Sequence, residues 1–160
     1  MTASFTANLR FAKPGKSDVG WAQLIDTMFD LIDSSIAGVT SVITSGGTTI
    51  LTTNDNATDQ ARQPIIIVSG VLSSAAVIVI PNSPKQYTVL NKATGAFPLT
   101  VTTNLGGVGA VVLQGAAVQL ASDAGPLGNI LFVSPQVDFT TGLIKTSAAS
   151  NPIVNALIFG

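Results

Sequence analysis

The chain has no cysteine, no histidine and no glutamate. Without cysteine, disulfides do not stabilise the fold, and no redox compartment can be read. Without histidine, the commonest general base and most metal-ligand sets are gone. The acids are eight aspartates, because the sequence holds no other carboxylate side chain. Charge as a whole is scarce: 9% of residues are ionisable, against roughly 25% in ordinary soluble domains. The surface must then be built of Ser, Thr, Asn, Gln, Ala and Gly. Such a surface suits permanent assembly better than a free cytoplasmic monomer, since burying a hydroxyl costs far less than burying a charge. The net charge of −1 points to no partner by bulk electrostatics. Basic clusters interleaved with aromatics are also missing, which argues against nucleic acid. One Trp and one Tyr offer little of the aromatic platform a sugar site uses.

At 160 residues the chain is long enough for one domain with extensions. A compact chain of this length buries roughly 70% of its unfolded surface. The longest uncharged apolar run, PIIIVSGVLSSAAVIVIP at 64–81, has the length of a membrane span. Its β-branched residues, internal Ser and Gly and flanking prolines predict a buried hairpin instead, with strands near 65–69 and 75–80. No membrane partner is expected. The start, MTASFTANLRFAKPGK, has no apolar core of the signal-peptide kind.

Residues 3–11 alternate with period two. Ala3, Phe5, Ala7, Leu9 and Phe11 face one way, and Ser4, Thr6, Asn8 and Arg10 face the other. Lys13-Pro14-Gly15 then breaks the chain. A helix is predicted over 18–37, with Ser17 or Asp18 as cap and Gly38 at its end. Trp21, Ile25, Met28 and Ile32 follow a four-three-four spacing, a coiled-coil-like seam. This seam packs on the chain's own body or on the same seam of other copies; the pattern leaves both open. Asp26, Asp30 and Asp33 form a row elsewhere on the helix, which is a solvated face or a docking face for a basic partner.

From residue 39 onward the pattern is β. Short strands are expected at 40–44, 48–53, 65–69, 75–80, 86–91, 97–103, 110–113, 118–121 and 130–134, punctuated by Gly, Asn, Asp and Pro. The fold class is mainly β: an extended N-terminal arm (1–17), one amphipathic helix (18–38), an antiparallel β-sandwich or barrel-like body (39–135) and a C-terminal extension (136–160). No strict internal repeat is visible. Pro98 cannot donate to a ladder, so an edge or bulge is expected there.

Candidate chemistry is sparse. PGKS at 14–17 resembles the end of a phosphate loop, but the glycine needed earlier is Arg10. It reads as a turn and helix cap. TNDNATDQ at 53–60 clusters oxygen ligands, yet the spacing matches no EF-hand loop, and Asn and Asp are ordinary turn residues. No pair of carboxylates is patterned for glycoside hydrolysis. No catalytic residue, metal site or cofactor is assigned.

The stretch VIVIPNSPKQYTVLNKATGAFPLTVTTNLGGVGAVVLQGAAVQLASDAG, from Val77 to Gly125, resembles a module of tailed-bacteriophage fibre and related virion proteins. The module has an apolar strand, a Pro-containing turn, a strand ending in an Asn-x-Ala/Thr-Thr-Gly turn, a Leu-Thr-Val strand and an apolar strand ending in Gln-Gly. The chain departs from it at Asp123-Ala124-Gly125, where Asp-Gly is direct, and at Leu113, where proline is frequent. The segment from Trp21 through Phe29-Asp-Leu-Ile-Asp33 is similar to a helix near the start of many such proteins. The resemblance implies a homotrimer, a β body and no enzymatic activity. The expected role is a homotrimeric capsid decoration, cement or head-fibre protein of the virion, assembled in the host cytoplasm. The expected partners are itself and the major capsid protein or another virion protein. Phe5, Leu9, Arg10, Phe11, Lys13 and Lys16 are the candidate docking residues, and Trp21, Ile25, Met28 and Ile32 the candidate oligomer seam. A short tail or neck fibre or adaptor is the alternative within this class. A carbohydrate-binding host-recognition module is the alternative outside it.

Overall fold

The computed structural model describes residues 20–54 and 57–145, together with the backbone of two short N-terminal strands. Those strands, β1 (Ser4–Phe5) and β2 (Ala12–Lys13), pair antiparallel, with Ser4 opposite Lys13. Of the single strand expected over 3–11, only Ser4–Phe5 is seen as strand, and residues 6–11 lie outside the described residues. Lys13, expected in the break, is a strand residue.

The helix α1 runs over Trp21–Ala37, three residues shorter at its start than the spacing predicts. Gly20 occupies the cap position at φ 91 and supplies no side-chain cap; Ser17 and Asp18 lie outside the described residues. Gly38 ends the helix as expected, but in an extended conformation. A glycine is still required there, because a Cβ would sit 2.3 Å from the Ser34 carbonyl oxygen.

Ten strands follow: β3 (Val39–Ile43), β4 (Gly47–Ile50), β5 (Ile65–Ser69), β6 (Ala76–Ile80), β7 (Gln86–Asn91), β8 (Leu99–Thr103), β9 (Ala110–Val112), β10 (Ala116–Ser122), β11 (Ile130–Phe132) and β12 (Val137–Asp138). They form two sheets. One has the order β11-β10-β7-β5-β3, with β12 also on β10, and the other the order β4-β6-β8-β9. Through residue 103 the chain visits the two sheets in turn, and each visit lies parallel to the one before. The body is therefore a stack of three two-stranded rungs, and the sheets are mixed, not purely antiparallel. The last two rungs share one offset of 23 residues: Ile65 pairs with Thr88, Val71 with Thr94 and Ala76 with Leu99. This regular offset is the internal repeat that the residue identities hide. The first two rungs differ, with Val39 opposite Ile65 but Gly47 opposite Ala76, because the turn between β5 and β6 is longer.

The hairpin expected over 64–81 is accordingly not a hairpin, and neither are the next two strands. Segments 70–75 and 92–98 carry the chain from one sheet to the other, so β5 and β6, and β7 and β8, lie in different layers. Period-two alternation only says that one face of each strand is buried, and a rung of a stack satisfies it as well as a hairpin does. After β8 the chain reverses. β9 then pairs antiparallel with β8, and β10 with β7, which closes the stack at that end.

The core lies between the sheets, and the registers stack its side chains in columns. Thr40, Ile66, Val89 and Val118 form one column, and Ala76, Leu99 and Val112 another, each residue at most 5% exposed. Burial of one such Val, Leu or Ile side chain contributes about 1.5–3 kcal/mol.

Candidate assembly surface

The helix lies largely outside the core. Leu31 is its one buried residue. It meets the body at the 3₁₀ turn Gln60–Arg62, whose Ala61 is also fully buried. Of the candidate seam, Trp21 is 53% exposed, and Ile25, Met28 and Ile32 are half-buried. Phe29 and Ile36 are exposed beside them. The helix thus places the four seam residues along one side without enclosing them in the core. Asp26, Asp30 and Asp33 are all exposed. Of the candidate docking residues, Phe5 and Lys13 lie in β1 and β2, while Leu9, Arg10, Phe11 and Lys16 lie outside the described residues.

The two ends of the stack are built differently. At the reversed end, side chains close the edge left by β9. The Gln136 amide Nε2 donates to the Val111 carbonyl at 2.8 Å, and its Oε1 accepts the Leu113 N–H at 2.7 Å. Asn129 Oδ1 accepts the Val108 N–H at 3.1 Å. At the opposite end, β3 and β4 are the outermost strands of their sheets. Segment 39–50, VTSVITSGGTTI, carries no ionisable side chain. Natural edge strands usually carry charge, proline or a cover that discourages pairing.

Between helix and body lies a buried polar knot that the sequence does not announce. Arg62 is fully buried. Its Nε donates to the Ala57 carbonyl at 2.9 Å and its Nη2 to the Asn54 carbonyl at 2.7 Å. Asp59 lies 3.9 Å from Nε and accepts from Thr52 Oγ1 at 3.0 Å and from the Asn54 N–H. The loop considered as an ion ligand is thus organised by a guanidinium. Among the described residues no three metal-ligating side chains are grouped. On the other side of the turn, Lys85 Nζ donates to the Ala61 and Arg62 carbonyls, and the Tyr87 hydroxyl donates to the Ala61 carbonyl at 2.9 Å. Tyr87 is 2% exposed, so its ring offers no sugar platform.

Burial of Lys85, with repulsion from Arg62 only partly offset by Asp59, lowers its pKa to about 8. Burial and Asp59 push Tyr87 above its ordinary value of 10.0. The two shifts have opposite consequences. An unfolded lysine keeps its proton to higher pH, so the Lys85 contribution is present above 10.5 and lost as pH falls through about 8. The Tyr87 contribution is present below 10.0 and lost as pH rises further. Urea midpoints are expected to rise between pH 8 and pH 10 and to fall above it, with the rise gone in Lys85→Met. A flat wild-type profile over that interval would mean that Lys85 is not held desolvated.

A groove of about 420 Å³ separates the helix from the body, lined by Ile32, Ser35, Ile36, Pro64, Pro84 and Lys85 among others. Comparison with family models, with curated proteins and with solved structures gives no match.

The open edge at Val39–Ile50 and the Arg62 knot are the two features the residue pattern did not single out. The edge carried one legible signal, a β-prone run of twelve residues without charge. Arg62 carried none, because an isolated arginine is normally a surface residue.

Proposed function

We propose that this chain is a structural protein of a tailed-bacteriophage virion: a homotrimeric capsid decoration, cement or head-fibre protein. The observation that supports it most is the helix, whose apolar seam Trp21–Ile25–Met28–Ile32 runs along an element that buries only Leu31 in its own body. A half-open seam at coiled-coil spacing is satisfied when like seams meet on a common axis, and three copies are the number the sequence resemblance implies. The scarcity of charge agrees with this, since a surface of hydroxyls and amides enters a permanent interface at low desolvation cost. The chain acts by binding, not by catalysis, and takes no cofactor. Its N-terminal arm, through Phe5, Leu9, Arg10, Phe11, Lys13 and Lys16, docks on the major capsid protein or another virion protein, and the β body projects.

Sedimentation with undecorated phage heads tests the reading. The full chain is expected to co-sediment with heads, and a chain lacking residues 1–16 to remain in the supernatant. Equal binding by both chains removes the arm from docking. Binding of the full chain to isolated tails and not to heads replaces decoration with a short tail or neck fibre. Saturable binding to a glycan array, with neither heads nor tails bound, overturns the virion-structural reading in favour of a host-recognition module.

A further inference from the structure

The hydrogen-bond register decides which backbone groups the outermost rung leaves over. Thr44 N–H donates to the Ser69 carbonyl at 2.9 Å, Gly47 N–H to Ala75 at 2.8 Å and Leu51 N–H to Val79 at 2.8 Å. N–H and C=O of one strand residue point the same way, and neighbours point oppositely. Ser41 and Ile43 in β3, and Thr48 and Ile50 in β4, therefore turn their backbone groups away from the stack. Those groups bond no described residue. The side chains beside them are exposed and apolar: Val39 at 47%, Ile43 at 83% and Ile50 at 65%. At the other end of the same stack, Gln136 and Asn129 satisfy the corresponding edge.

We infer that this open end is a self-association surface, on which a second copy of this chain sets its own β3 and β4 so that both sheets continue across a two-fold axis. Three observations select a second copy over another partner. The edge has no charge, so it selects no charged partner and tolerates its own image. It consists of two strands held one sheet spacing apart by the turn at 44–46, and a single added peptide strand covers only one of them. The same end of another copy presents both strands at that spacing. A two-fold operation also makes the new pairs antiparallel, which needs no crossover connection. This contact lies apart from the helix seam, so it stands or falls separately from the trimer proposed above. Where both hold, two trimers meet end to end.

Native mass of the full chain reads both contacts. Ile43→Lys/Ile50→Lys places two like charges on each edge at exposed positions, and Ser41→Pro removes an outward N–H that bonds no described residue. Each edge variant is expected to halve the wild-type mass with an unchanged far-UV circular dichroism spectrum. Trp21→Glu/Met28→Glu is expected to divide the mass by three. A wild-type mass that both folded edge variants retain overturns the inference, and it leaves the trimer intact where that mass is three chains. A mass that the edge variants halve and the seam variant does not change supports the inference and removes the trimer. A monomeric wild-type chain overturns both.

Discussion

Alanine at Arg62 is expected to lower the unfolding free energy by about 3–5 kcal/mol, the range for breaking a buried ion pair from one side. The side chain is fully buried, and it holds the Ala57 and Asn54 carbonyls that shape the loop between β4 and β5. Removing it takes the guanidinium donor from both carbonyls, leaving Asn54 only the Ala57 N–H at 3.5 Å, and takes the ion-pair partner from Asp59, whose side chain is only 10% exposed. Each orphaned group carries its own desolvation cost. Since whole domains are stable by roughly 5–15 kcal/mol, this one change consumes a large part of the margin. The damage should also reach the helix, because the turn that Arg62 ends is where α1 meets the body. Urea titration followed by circular dichroism measures the loss. A cost below about 0.5 kcal/mol, typical of a surface substitution, would show that the guanidinium is not the hub of this loop.

Gly70→Ala is the second large loss expected, and it tests the stacking directly. Gly70 sits at φ 117, a conformation that L side chains rarely adopt. Forcing alanine into it costs roughly 1–3 kcal/mol. The added Cβ would also lie 2.2 Å from the Thr44 carbonyl oxygen, which belongs to the turn of the preceding rung. Backbone cannot swing aside as a side chain can, so the rung must shift, at roughly a further 1–3 kcal/mol. Gly47→Ala is the control. It also has positive φ, at 76, but its Cβ would meet no atom within 4 Å, so it carries only the conformational part. Equal losses at the two glycines would mean that the turns of neighbouring rungs do not pack as described. If 64–81 were a simple hairpin, residues 44 and 70 would have no reason to touch.

These two residues show where the reading of the sequence ends. Alternation was legible in the sequence and correct in what it claims: Ile66 and Val68, Ile78 and Ile80, Leu99 and Val101 all point inward. The helix was legible too, from its seam spacing and the glycine at its end. So was the exposed row of Asp26, Asp30 and Asp33. The partner of each strand was not legible. Val89 is equally buried whether Gln86–Asn91 turns back on itself through 92–98 or crosses to the other sheet. Nor was Arg62, whose burial depends on carbonyls supplied by a loop several residues away along the chain.

By itself, then, the sequence determined which face of each strand is buried, where the helix runs, and that the surface is nearly free of charge. Those are properties of composition and of local periodicity, and elementary burial energetics act on them directly. Only the tertiary structure decided that the strands stack as parallel rungs, that Gln136 and Asn129 bond the edge at Val108–Leu113, and that no described strand pairs with the outer edges of β3 and β4. The physical reason is that hairpin and rung bury the same side chains. The choice between them falls to the close approach of turns far apart in sequence, at Gly70 and Thr44, where one carbonyl leaves room for a hydrogen and not for a methyl group.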